Sequence, residues 1–168
     1  MSQPAPRFEA KILEPRDLSR LLGGLARPLV FTNGVFDILH RGHVTYLARA
    51  RSLGASLLVA LNGDASARRL GKGSERPVNT LQDRLAVLAA LESVDAVTWF
   101  DEDTPLELIR ACRPEILAKG GDWPPERIVG AQDVLGRGGR VESIPFEHER
   151  STSALLKRIR DASGRDAA

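Results

Sequence analysis

The chain has 168 residues, 42% of them hydrophobic and 27% charged, with a formal net charge of +2. That length suits one domain with a single apolar core. A surplus of +2 without a clustered basic stripe gives no sign of a nucleic-acid partner, no apolar run approaches the ~20 residues of a membrane span, and one cysteine leaves no internal disulfide.

Met1 to Pro6 lacks the apolar stretch of a signal peptide, so a cytoplasmic protein without membrane attachment is the expectation. Residues 1–27 read as an N-terminal extension with a lead helix around Arg16 to Leu25 packed on the outside. Residues 28–160 read as the domain proper, and 161–168 as a frayed, small and polar tail. Within the domain, short apolar segments alternate with helical patterns. The strands are Leu29 to Phe31, Leu57 to Leu61, Ala96 to Phe100, Ile116 to Ala118 and Val141 to Ile144. The helices are Val44 to Leu53, Leu81 to Leu91, Pro105 to Ala111, Val129 to Arg137 and Ser153 to Ile159. Cys112 falls in a helical pattern with Leu108 and Ile109 and reads as a core thiol in a reducing compartment. Strict alternation of strand and helix predicts an α/β fold: a doubly wound, five-stranded parallel sheet with helices on both faces. Ligands of such sheets bind beyond the carboxyl ends of the strands, where strand order reverses.

The first strand ends at Asn33-Gly34, and His40-Arg41-Gly42-His43 opens the helix after it. A strand turning into a helix presents free backbone N–H groups and a positive dipole end, an anion site. Two histidines three apart on a first helical turn point the same way, roughly 5–6 Å apart at Cβ. Gly42 keeps a side chain out of the space between them and a ligand. Paired imidazoles at a phosphate cradle suit nucleotidyl transfer, in which an attacking group displaces pyrophosphate from the α-phosphorus of a nucleoside triphosphate. An attacking phosphate is already ionised at neutral pH and needs no general base. The sequence shows neither a Ser-His-Asp arrangement nor a metal-ligand cluster.

Thr32-Asn33-Gly34-Val35-Phe36-Asp37 followed by His40-Arg41-Gly42-His43 resembles the signature of the HxGH nucleotidyltransferases, whose fold is a Rossmann-like sheet of the kind expected here. Arg76-Pro77-Val78-Asn79, Val94 to Val97, Phe100 to Pro105 and Lys119-Gly120-Gly121-Asp122-Trp123 come next, in that order. Together they resemble the heptose 1-phosphate adenylyltransferases of that family, from about Pro28 to Ile159. The resemblance implies ATP and heptose 1-phosphate as substrates, ADP-heptose for lipopolysaccharide core and pyrophosphate as products, Mg2+ carried on the ATP phosphates, and a homodimer. A cytidylyltransferase acting on a polyol phosphate and a non-catalytic ATP-sensing module are the alternatives.

The resemblance also carries site roles. His40, His43 and Lys119 are the candidate catalytic residues, with Lys119 a point charge for phosphate at the end of a strand. The nucleotide set adds Thr32, Asn33, Gly34, Phe36, Gly42, Gly120, Gly121, Asp122, Ser151, Thr152 and Ser153. Gly120 and Gly121 permit the close approach that adenine recognition through main-chain groups requires. Ser151 to Ser153 precede the last helix and read either as a second anion site or as an ordinary N-cap; Arg150 adds a cation of undefined role. The sugar-phosphate set is Asp37, Asn62, Asp64, Lys72, Arg76 and Arg84. Asp37 orients the sugar or helps hold magnesium indirectly. Asp64 binds or caps a helix. Arg84 contacts the phosphate or snorkels to solvent. Lys72 and Arg76 sit on a glycine-rich loop, Gly71 to Pro77, expected to be mobile, and either close over the sugar phosphate or are plain solvated charges.

Overall fold

The computed structural model describes residues 4–18, 22–71, 73, 76–147 and 152–163. Five strands form one parallel sheet: β1 (Leu29–Gly34), β2 (Ser56–Asn62), β3 (Ala96–Phe100), β4 (Ile116–Gly120) and β5 (Arg140–Ile144). Their spatial order is β3-β2-β1-β4-β5, so the chain steps outward to one side through β3 and then returns to pair β4 with β1. The switch point therefore lies between β1 and β4, with Gly34 and Gly120 ending the two strands that flank it. The doubly wound sheet expected from the sequence is the fold observed.

Alternation along the strands explains why helices cover both faces. Val30, Leu57, Val59, Leu61, Val97, Ile116 and Ala118 point into one core with Tyr46, Leu47 and Ala50 of α1 (Arg41–Ser52). Leu85, Leu88 and Ala89 of α3 (Leu81–Ala89) complete that layer; α2 (Asp64–Arg69) is a short helix after β2. Leu29, Phe31, Leu58, Ala60, Ala96 and Leu117 point the other way, onto Ile109 and Cys112 of α4 (Leu106–Cys112) and onto Ala131 and Val134 of α5 (Ala131–Leu135). Successive strand residues face opposite sides, so strands this apolar need two cores. Cys112 is buried as expected, and burial pushes its thiol pKa up to about 12. Among the described residues no helix is long and apolar enough to cross a membrane.

Three expectations are corrected. In the described part of Arg16 to Leu25, 3-10 turns stand at Pro15–Asp17 and Leu22–Gly24 and Leu18 is helical, while 19–21, on which the expected lead helix rests, lie outside the described residues. This segment does not lie outside the fold: Leu13, Leu18 and Leu22 are buried in the second core, and Ile12 bridges Val97 on the β3 edge. The helix expected over 129–137 shrinks to Ala131–Leu135, because Gly130 takes a left-handed conformation (φ 82°) ahead of it and Gly136 closes it. The last helix, α6 (Thr152–Ser163), runs four residues past the expected end at Ile159 and three into the expected tail; residues 164–168 lie outside the described residues.

At the junction of α1 and β2 the backbone passes close to the chain entering β1. The Ala55 N–H donates to the Pro28 carbonyl at 2.8 Å, and a Cβ on Gly54 would lie 2.5 Å from that same oxygen. Relief requires a backbone shift, so Gly54→Ala is expected to cost about 1–3 kcal/mol in chemical denaturation. An unchanged midpoint would show that this junction is loose.

Candidate active site

The carboxyl ends of the strands open into a cleft of about 480 Å3. Asn33, Gly34, Val35 and Phe36 line it from β1 and its loop, His43 and Tyr46 from α1, and Lys119, Gly120 and Gly121 from β4. Asn62 joins them at the end of β2, where its amide donates to Ser66 Oγ at 3.0 Å. The Lys119 ammonium donates to the Asn33 side chain at 3.1 Å and to its carbonyl at 3.3 Å, bringing β4's cation across the switch point to β1.

His40 is the N-cap of α1 with extended backbone, and its carbonyl accepts from the His43 N–H at 2.9 Å. The two imidazoles stack, centroids 3.9 Å apart and planes 18° from parallel. His43 lines the cleft and His40 backs it. Phe36 sets its ring edge-on to His43 at 5.3 Å. To do so it holds φ 48°, a left-handed backbone costing roughly 1–2 kcal/mol for a residue with a Cβ. Gly34 leaves the room: a Cβ there would lie 2.9 Å from the Phe36 ring. Nδ1 of both histidines is buried without a hydrogen-bond partner among the described residues.

Burial lowers the pKa of His40, and burial together with the His40 charge brings His43 down to about 4. Both shifts favour the neutral ring at pH 7, in two half-buried imidazoles at the edge of the cleft. An anion would favour the protonated form and raise the His43 pKa, so anion affinity should strengthen as pH falls from 7 toward 4. NMR of the His43 ring is expected to give a pKa below 5 in the free protein, rising by more than one unit with a non-hydrolysable ATP analogue. An unmoved pKa would separate His43 from the triphosphate.

Below the cleft a charged network fixes the loops. Arg84 is 2% exposed. Its guanidinium donates to the carbonyls of Asn79 (3.2 Å), Val35 (2.7 Å) and Asn62 (2.9 Å) and to Asp64 Oδ1 (2.7 Å). Asp37 Oδ1 accepts from the N–H groups of Val78 and Asn79 at 2.8 and 2.9 Å, and Asp37 Oδ2 lies 2.6 Å from Arg76 Nε. Arg84 therefore neither snorkels nor reaches the surface as a phosphate contact, because the ends of β1 and β2 enclose it. Asp64 is the first residue of α2; Gly63 is its N-cap, and the Asp64 carboxylate turns to Arg84 instead. Arg76 is held on buried Asp37 rather than standing as a solvated loop cation; Lys72 lies outside the described residues. Replacing Arg84 by Met strands the Asp64 carboxylate and three carbonyls. A loss of about 3–5 kcal/mol is expected on urea unfolding, with Arg84→Lys intermediate. A loss under 1 kcal/mol would mean that the network carries little.

Other expected nucleotide contacts sit differently. Thr32 is fully buried under the cleft, its hydroxyl bonded to that of Tyr46, so it supports the floor rather than touching a ligand. Asp122 is exposed and off the cleft lining. Gly42 is buried in the first turn of α1. Thr152 is within the first turn of α6, its hydroxyl donating to the Ile38 carbonyl at 3.3 Å; Ser153 is exposed, and Arg150 and Ser151 lie outside the described residues. The sequence reading missed Tyr46, Leu70, Val129 and Phe146 as cleft residues and left Trp123 and Asp103 to Pro105 without a role. One signal was available: in a parallel sheet, residues just past the carboxyl end of any strand face the crevice, and Phe146 comes just past β5.

A family described as cytidylyltransferase-like, whose members are nucleotidyltransferases, matches residues 31–154, and the chain belongs to that family. The D-beta-D-heptose 1-phosphate adenylyltransferase of Bordetella bronchiseptica is 60% identical over 156 residues, 92% of this chain and 96% of that relative. Bifunctional protein HldE of Citrobacter koseri is 56% identical over 135 residues, which is 80% of this chain and 28% of that longer protein. Among solved structures, the lipopolysaccharide core biosynthesis protein from Thermoplasma volcanium GSS1 superposes with a TM-score of 0.58 at 29% identity, covering 73% of this chain and 98% of that one. Pantothenate synthetase from Thermus thermophilus (TM-score 0.56, 17% identity, 80% of this chain and 61% of that one) shares the fold.

Proposed function

We propose that this nucleotidyltransferase joins heptose 1-phosphate and ATP to give ADP-heptose and pyrophosphate, supplying activated heptose to lipopolysaccharide core. The β anomer is the one in the name of the 60% identical relative. The observation that carries the chemistry is the stacked His40–His43 pair at the N-terminus of α1, whose His43 lines the same cleft as Lys119 at the switch point of the sheet. A phosphate oxygen of the sugar attacks the α-phosphorus, a new O–P bond forms, and the bond from the α-phosphorus to the bridging oxygen breaks with pyrophosphate leaving. The attacking phosphate is ionised at neutral pH, so no group has to take a proton from it. Charge builds on the equatorial and leaving oxygens, and there the imidazoles and the Lys119 ammonium stabilise it.

Mg2+ enters this proposal with ATP, held on the triphosphate and by water. The residues fit that mode. Among the described residues no three of His, Cys, Asp and Glu cluster to hold a metal. Asp103, the carboxylate on the cleft wall, is paired with Arg69 at 2.7 Å, while Asp37 and Asp64 are engaged by Arg76 and Arg84.

Dimerisation belongs to the same proposal. The segment Val94 to Trp99 does lead into an edge strand, β3, although Ile12 and Leu13 already occupy part of that edge. Light scattering at micromolar protein is expected to give twice the chain mass, and a monomer alone would refute it.

Pyrophosphate release tests the mechanism. His40→Ala and His43→Ala are each expected to lower turnover a hundredfold or more, about 3 kcal/mol of transition-state stabilisation. Turnover within threefold of the parent in both would remove the imidazoles from the chemistry.

A further inference from the structure

The upper cleft wall is aromatic, and its rings are held while half exposed. Trp123 is 50% and Phe146 48% exposed, and both line the cleft beside Val129. Trp123 is fixed at two points: its backbone N–H donates to Ser143 Oγ at 3.0 Å and its indole N–H to the Gly120 carbonyl at 3.1 Å. Phe146 packs edge-on against Tyr46 with centroids 5.8 Å apart. Both rings close on the same glycine pair. A Cβ on Gly120 would lie 2.7 Å from Phe146 Cζ, and one on Gly121 3.1 Å from Trp123 Nε1.

The main chain of that glycine pair already makes hydrogen bonds within the protein. The Gly120 carbonyl accepts the indole N–H, the Gly121 N–H donates to the Ile144 carbonyl at 2.9 Å, and the Gly121 carbonyl accepts from the Ser143 hydroxyl. Reading of a base edge through these groups, as the sequence suggested, would compete with bonds the protein has made. The two half-exposed rings offer a ligand apolar surface that is already held in place.

Building on the adenylyltransferase reading, we propose that Trp123 and Phe146 are the specificity-determining residues for the nucleobase, selecting a purine by the area of its π-face rather than by hydrogen bonds to its edge. A bicyclic base covers more of two preset rings than a pyrimidine does, and stacking is indifferent to which exocyclic groups the ring carries. The polar end of the same cleft, His43 and Lys119, takes the phosphates.

Steady-state kinetics with ATP, purine riboside triphosphate (adenine without its amino group) and CTP test this in the intact protein. The parent is expected to use purine riboside triphosphate with kcat/KM within fivefold of ATP, and CTP far less well. Trp123→Ala and Phe146→Ala should each raise the KM for ATP at least tenfold, move that for the sugar phosphate less than twofold, and narrow the ATP/CTP ratio at least tenfold. Trp123→Phe, which keeps a ring, should restore most of the ratio and so exclude misfolding as the cause. An independent readout is fluorescence in a Trp99→Phe background, where Trp123 is the remaining tryptophan. A non-hydrolysable ATP analogue should quench it. A hundredfold loss with purine riboside triphosphate, an unchanged ATP/CTP ratio in both alanine variants, or absence of quenching would overturn the proposal. A parent that forms no ADP-sugar yet shows quenching would refute the catalytic reading and support the aromatic slot.

Discussion

A permanently charged guanidinium sits in the interior of this domain because four oxygens converge on it. Removing Arg84 from water is unfavourable, and only hydrogen bonds to fixed acceptors offset that. Three of the acceptors are main-chain carbonyls where elements end or begin: Val35 just past β1, Asn62 as the last residue of β2, and Asn79 just before α3. The loop carrying Phe36 to His40 therefore cannot move without uncovering a charge. Asp37 repeats the device with opposite sign, gathering Arg76, Val78 and Asn79. The histidines stand on a scaffold held by buried charge, while the parallel sheet supplies the crevice.

On that scaffold the cleft is divided. At one end, imidazoles whose pKa values burial lowers lie on the same cleft region as a lysine whose ammonium bridges β4 to β1. In a low-dielectric site such groups respond strongly to an arriving polyanion, which favours their protonated form. At the other end are indole and phenyl surfaces resting on glycines. On the proposed reading, phosphates and base are recognised by unlike physics, charge against stacking, and the distance between the two ends sets where the α-phosphorus falls.

The sheet, its order-reversing site and the histidine pair were legible because each has a local signature: apolar runs for strands, Asn33-Gly34 for the break, and the spacing of His40 and His43 for a shared face. Arg84 was not. A single arginine in an apolar helix looks the same whether it reaches solvent or a carbonyl cage, and the cage is built from residues 5 to 49 positions away. The N-terminal segment misled for a similar reason. Leu18 and Leu22 read as one face of a helix on the outside, and only the fold shows that they are buried in the same core as Leu29, Phe31, Ala96 and Phe100. Phe146 and Tyr46 read as core or surface residues in one dimension, and only the meeting of β5 with α1 makes them one wall.

Oxygen-18 tracing tests the central chemical claim most directly. Heptose 1-phosphate labelled in its three non-bridging phosphate oxygens is incubated with unlabelled ATP, and the products are weighed by mass spectrometry. Attack by the sugar phosphate on the α-phosphorus retains all three labels in ADP-heptose and leaves pyrophosphate unlabelled. Label in the pyrophosphate, or turnover of ATP without any labelled ADP-heptose, would contradict it.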